Sequence, residues 1–297
     1  MAQRPNARDT LASRRAVDSG RAHPRPWRAL KKQEVTRADF ERYFPYTPAA
    51  LCVKECARLS ALRKYACPGP ILDVGCGDGL FASIAFEGAE VWGIDIDAEE
   101  GRWAAASQAY SQIILGDVTR ARLPNGFFAT CVANCSLEHV PRIDRALENI
   151  RSSLAPGGRA YLFVPNKDWA RDMLSYRTLA GLGLEAAAEL FRSSVDTFFK
   201  HHHLHDRQEW QEIVSAAGMK VVAIEPALST GTTVAFELLL LPSLAGWLNK
   251  QMTTRWTNFP PARRLFARPV HELVARILDA SSERPSAEFL IVAERSA

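Results

Sequence analysis

Between Pro70 and Asn166, short apolar runs alternate with segments of helical periodicity, and this alternation restricts the fold more than any other feature of the chain. "PILDVGCG", "AEVWGIDID", "SQIILGDV", "FFATCVANCS" and "RAYLFVPN" read as buried strands. "GLFASIAFE", "AEEGRWAAASQAY" and "RIDRALENIRSSLAPGG" read as helices, the last with a glycine stop. Strands joined by helices cannot pair as tight hairpins. They form βαβ units and a parallel sheet.

The flanks are more helical. "TPAALCVKECARLSALRKY" is predicted to be a helix with Thr47 as N-cap and Pro48 at the first helical position. After Asn166 the rhythm breaks, and residues 167–200 read as irregular helical text. "DRQEWQEIVSAAGM" is predicted to be a helix opened by a capping box of Asp206 and Glu209. "KVVAIEPAL" and "SAEFLIVAERS" read as strands, with a mostly helical stretch at about 230–285 between them. The expected organisation is a basic, disordered tail over residues 1–42 and one domain over 43–297, with helical insertions at about 167–200 and 230–285. The tail's Arg, Ala and Pro content also resembles a transit peptide, although "HPRPWR" argues against one continuous helix there.

The loop after the first strand, "LDVGCGDG", carries Asp73, Gly75, Cys76, Gly77 and Gly79. Glycines between a strand and a helix allow a tight turn and close approach of a ligand to the main chain. The dinucleotide fingerprint is G-x-G-x-x-G, but here the third glycine comes one residue early and an acid precedes the first. A carboxylate there suits an amino group or a sulfonium better than a pyrophosphate. Asp95 ends the next strand, where an acid can accept ribose hydroxyls. Asp117 ends the third, where a carboxylate could accept adenine amino hydrogens.

On "LDVGCGDG", "GIDID", "LGDV", "ANCSLEHV" and "LAPGGRAYLFVPN" the chain resembles the class I S-adenosylmethionine-dependent methyltransferases. The resemblance implies a Rossmann-like α/β fold: a seven-stranded sheet, its last strand antiparallel, with helices on both faces and helical lid insertions. It implies S-adenosyl-L-methionine as cofactor. Asp73 and Gly75 to Gly79 would face its methionine part, Asp95 with Ile96 the ribose, and Asp117 with Val118 the adenine. Asn134 would line the cofactor side of the acceptor pocket.

Methyl transfer needs the acceptor held in line with the methyl group and water kept out. A base is needed only if the acceptor must lose a proton. The chain's "SLEHV" resembles the Glu-x-x-Glu-His pattern by which ubiquinone-biosynthesis O-methyltransferases can hold a divalent metal, but Cys135 stands at the first glutamate position. Hard cations prefer oxygen ligands, so no metal is expected. His139 is a candidate base, or simply the start of the next helix. "FFKHHHLHD" holds four of the seven histidines, and an extended run would place His201, His203 and His205 on one side. His203 and His205 are the expected catalytic residues, acting on the acceptor, with a capping or solvated role as the alternative.

The stretch "TTVAFELLLLPSLAGWLNK" is apolar but is broken by Glu237 and Pro242, and it reads as too short and interrupted to span a membrane. From Leu238 to His271 there are five basic residues and no acid, interleaved with Trp247, Trp256, Phe259 and Phe266. That mixture suits peripheral membrane contact through 234–268, or a helical lid packed on the core. The net charge of +4 is too small to announce a nucleic-acid partner, and none is expected. Six cysteines without a C-x-x-C pair suggest a reducing, cytoplasmic setting, with a membrane surface as a second site. The expected activity is methyl transfer to oxygen or carbon of a small-molecule or lipid-linked metabolite. Nitrogen or RNA methylation and a noncatalytic cofactor-binding assembly role are the alternatives. The sequence specifies no oligomeric state.

Overall fold

Seven strands form one sheet in the computed structural model, which describes residues 35–281 and 287–296. They are β1 (Ile71–Val74), β2 (Val91–Asp95), β3 (Gln112–Leu115), β4 (Phe128–Asn134), β5 (Leu154–Pro165), β6 (Met219–Pro226) and β7 (Glu288–Arg295). Their order is β3-β2-β1-β4-β5-β7-β6. β1 to β5 pair in parallel, and β7 runs antiparallel to both β5 and β6. The order reverses at β1, with β2 on one side and β4 on the other, and a crevice opens at such a switch point beyond the carboxyl ends of the strands.

Alternation along each strand divides the core between the two faces. Ile71, Val132, Tyr161, Phe163, Leu290 and Val292 are buried on one, and Leu72, Cys131, Leu162, Ile291 and Ala293 on the other. Among the helices are α1 (Arg37–Tyr43), α2 (Ala49–Leu62), α3 (Leu80–Ala85), α4 (Ala98–Ala106) and α5 (Ile143–Ser153). They continue with α6 (Leu174–Gly181), α7 (Glu185–Phe199), α8 (Arg207–Ala216), α9 (Thr230–Thr253) and α10 (Pro260–Ala280). Residues of α1, α2, α3, α9 and α10 cover the first face, and those of α5 and α8 the second.

Three expectations change. The folded chain starts before residue 43: Val35 and Phe40 are buried, and Thr36 caps α1 by accepting from the Asp39 amide. The rest of the expected tail, residues 1–34, lies outside the described residues. Pro48, not Thr47, precedes α2, and the Thr47 carbonyl instead accepts from Arg263 at 2.9 Å. The apolar stretch around Pro242 is one continuous helix of 24 residues, long and apolar enough by length and composition to cross a membrane. Proline clashes with the carbonyl four residues earlier. Here that residue is Leu238, already on the exposed side, where the freed carbonyl can meet solvent. Glu237 accepts from the first amides of α6, Leu174 and Ser175, so its charge faces a helix N-terminus. The Asp206–Glu209 capping box forms at the start of α8.

Candidate active site

The glycine loop joins β1 to α3, with Gly75, Gly77 and Gly79 all at positive φ. A Cβ on Gly75 would lie 2.3 Å from the Ser136 Cβ, so the loop touches the end of β4 there. The Gly75 and Cys76 amides donate to the Ile94 carbonyl at 2.8 and 3.1 Å. The Gly77 amide donates to Asp95 Oδ2 at 2.8 Å, and the Asp97 amide to Asp95 Oδ1 at 2.9 Å. A carboxylate offers about four acceptor positions, so Asp95 keeps capacity for further hydroxyls.

Asp73 is only 2% exposed, and it accepts from the Tyr110 hydroxyl at 2.8 Å. Burial pushes its carboxyl up to about 7, helped by the Asp95 and Glu55 charges and opposed by the Tyr110 hydrogen bond. Asp73, Gly75, Cys76, Gly77 and Asn134 line one cavity of about 500 Å³. Asn134 donates to Glu55 at 2.7 Å, and its Oδ1 is buried without a hydrogen-bond partner among the described residues.

Other expected cofactor residues lie apart. Asp117 accepts from the Thr119 amide at 2.8 Å, which lowers its pKa, and lines a different cavity with Arg120 and Arg142. It ends the edge strand β3, two strands away from the loop. Ile96 is 76% exposed and lines neither cavity. Val118 packs into the second face of the core, so its side chain is structural.

A smaller chamber of about 220 Å³ adjoins the loop cavity and shares Leu51, Glu55, Asn134, Cys135 and His139 with it. Its wall is charged. Glu288 accepts from Arg58 at 2.8 and 2.9 Å and from Lys54 at 2.5 Å, and Arg58 also reaches Glu55 at 2.7 Å. Glu138, His139, Trp169, Phe199 and His201 also line the chamber. Burial pushes Glu138 up to about 7. It pushes His201 down to about 4 and lowers His139, so both imidazoles are neutral at pH 7.

Neither His203 nor His205, the expected catalytic residues, lines the loop cavity or the chamber. His203 Nε2 lies 3.0 Å from the Val140 carbonyl, and His205 Nε2 lies 3.5 Å from His203 Nδ1. His205 also packs edge-on against the buried Trp210. These two rings fix the entry to α8. His139 does line the chamber, stacked on His201 with ring centroids 5.5 Å apart. His201 is the functional candidate that sequence reasoning passed over. Its neighbours Glu138 and His139 belong to a different part of the chain.

The end of α9 closes over the loop cavity. Lys250 pairs with Glu100 of α4 and lies 4.3 Å from the Trp256 ring. Arg255 stacks 4.1 Å from the Trp103 ring, and the Trp103 indole donates to Thr254 at 3.3 Å. Three of the five basic residues of this stretch are thereby committed to the body, as in the lid reading, since Arg263 also donates to the Phe44 and Thr47 carbonyls at 3.1 and 2.9 Å.

A sheet in this order with β7 antiparallel, bearing a glycine loop and strand-end acids at the switch point, has the class I methyltransferase fold. Residues 43–224 match the family model described as "Methyltransferase domain", and the chain belongs to that family. An uncharacterized methyltransferase of Mycobacterium tuberculosis strain H37Rv is 38% identical over 91 residues, covering 30% of this chain and 46% of that protein. The ubiquinone/menaquinone biosynthesis C-methyltransferase of Methylobacterium nodulans is 31% identical over 149 residues, 45% of this chain and 59% of that one. The chain thus spans about half the length of these relatives. A methyltransferase structure from Thermotoga maritima superposes with a TM-score of 0.51 at 14% identity, covering 91% of this chain and 99% of that one. At that identity the likeness speaks for the fold alone.

Proposed function

We propose that the chain transfers a methyl group from S-adenosylmethionine to oxygen or carbon of a small-molecule or lipid-linked acceptor. The observation that carries this reading is the pair of adjoining cavities. One is lined by the glycine loop and Asp73, the other by Lys54, Arg58, Glu138 and His201, and both meet at Asn134, Cys135 and His139. Cofactor in the first would present its methyl towards an acceptor in the second. Asp73 would take the amino group and Asp95 the ribose hydroxyls. An acceptor oxygen or carbon attacks the methyl carbon as the carbon–sulfur bond breaks, and S-adenosylhomocysteine leaves. A hydroxyl proton would be lost at the wall of Glu138, His139 and His201. A chamber of about 220 Å³ suits a small group better than a folded RNA.

The acceptor's lipid linkage rests on a further observation. Leu241, Leu248 and Met252 on α9, and Phe259, Leu265 and Phe266 at α10, are 54–78% exposed. Arg264 and Arg268 accompany them, and such a face suits an anionic bilayer surface reached from the cytoplasm. The test is incubation of the purified chain with methyl-deuterated cofactor and separate aqueous and lipid metabolite extracts. Mass-shifted product in the lipid fraction is expected. Cofactor binding without product in either fraction would favour the noncatalytic alternative.

A further inference from the structure

We propose that Glu138, His139 and His201 form a binding site for a divalent transition-metal ion. One donor atom from each lies within 4.8 Å of the other two, and His139 Nε2 stands 3.8 Å from Glu138 Oε1. Donors at bond lengths of about 2.0–2.2 Å around one tetrahedral ion are roughly 3.4 Å apart. Side-chain rotations of about an ångström would close the set.

The surroundings favour that reading over a chance cluster. His139 Nδ1 lies 3.2 Å from the Lys200 carbonyl. A carbonyl only accepts, so Nδ1 carries the proton and the Nε2 lone pair is left towards Glu138. Metal-bound histidines are oriented in this way. Glu138 is 2% exposed, yet its Oε2 has no hydrogen-bond partner among the described residues. His201 Nδ1 is likewise buried and unpartnered. A buried carboxylate oxygen and a buried ring nitrogen left unpaired beside one chamber are unfavourable unless something joins them. Lys54 is engaged with Glu288.

The backbone holds the ligands together. The His202 and His203 amides both donate to the Glu138 carbonyl, at 2.9 and 3.1 Å, and His203 holds the Val140 carbonyl. His201 is thereby fixed beside residues far from it in sequence. Two neutral imidazoles and one carboxylate suit zinc, iron, cobalt or manganese, whereas magnesium prefers oxygen ligands throughout. The site stands on its own geometry, and its role rests on the methyltransferase reading: an acceptor hydroxyl bound to the cation would release its proton to water more readily.

The test uses the full chain without an affinity tag, stripped with a chelator and titrated with cobalt(II). One equivalent should bind with visible d–d absorption, zinc should displace it, and a hundredfold excess of magnesium should not. His201→Ala and the near-isosteric Glu138→Gln should each weaken cobalt binding at least tenfold, while His205→Ala leaves it within threefold. S-adenosylhomocysteine affinity, measured on the same samples, reports separately on the cofactor site. No bound cobalt in the wild type, or unchanged binding in both ligand variants, overturns the metal site. Loss of S-adenosylhomocysteine binding in the wild type overturns the methyltransferase reading instead.

Discussion

Asp73 makes the proposed cofactor site sensitive to pH in a direction that can be worked out. Its carboxyl is pushed up to about 7 by burial, and the charged or titratable groups around it are Asp95, Glu55, Cys76 and Tyr110. If its carboxylate receives the cofactor's amino group, binding requires the ionised form. Below pH 7 the protonated fraction must first lose its proton, so affinity falls tenfold per unit. Between pH 8 and 5.5 the ratio of ionised fractions is about 30, or about 2 kcal/mol. Asp73→Asn removes the charge and keeps the shape. At pH 8 it should lose one charge-assisted hydrogen bond, about 1.5–3 kcal/mol, or roughly 10- to 150-fold in affinity. It should also flatten the pH dependence. Isothermal titration with S-adenosylhomocysteine from pH 5.5 to 8 measures both quantities. A flat wild-type profile, or an equal slope in Asp73→Asn, refutes the reasoning. The same raised pKa works against folding of the cofactor-free chain: the folded state holds its proton longer, so this contribution to stability is lost as pH rises from about 4 through 7.

Gly75→Ala and Gly77→Ala should separate crowding from backbone strain. Both adopt positive φ, costing about 1–2 kcal/mol for alanine, but only at Gly75 does the new Cβ collide, 2.3 Å from Ser136 Cβ, so thermal unfolding should show the larger loss there. Arg58→Met leaves Glu288 buried with Lys54 alone, which should cost about 3 kcal/mol and lower the melting temperature by roughly 5 °C, read by calorimetry. Burial would raise the Glu288 pKa, but Arg58 and Lys54 hold it at about 2, so the pair's contribution is present above pH 4.5 and should be lost as pH falls through 2. Lys250→Met removes the bridge to Glu100 over the loop cavity and should speed S-adenosylhomocysteine release several-fold in stopped-flow displacement.

The sheet was legible because its central strands are buried on both faces and read as apolar runs. The glycine loop was legible because its φ values demand glycine. The acids were harder to place. Asp73, Asp95 and Asp117 all end strands, but only the order β3-β2-β1 shows that Asp117 stands two strands from the loop. The histidines illustrate the limit best. An extended run would put His201, His203 and His205 on one side, yet the backbone turns between them, through bonds from the His202 and His203 amides to Glu138. His201 therefore enters the chamber while the other two are used on Val140 and Trp210. Spacing along the chain cannot report a contact that depends on a loop closing across 61 residues. Pro242 misled for a related reason: its cost depends on whether the carbonyl it displaces can reach water.

The placement of β7 has a consequence for biosynthesis. This strand is translated after every other strand of the sheet, yet it is inserted between β5 and β6 and brings Glu288 to Arg58 and Lys54 on α2. Until it leaves the ribosome, β6 has no neighbour, and two cations wait in an unfinished core. A nascent chain stalled before residue 288 therefore leaves the β5 edge open, the state in which chaperones would be most needed.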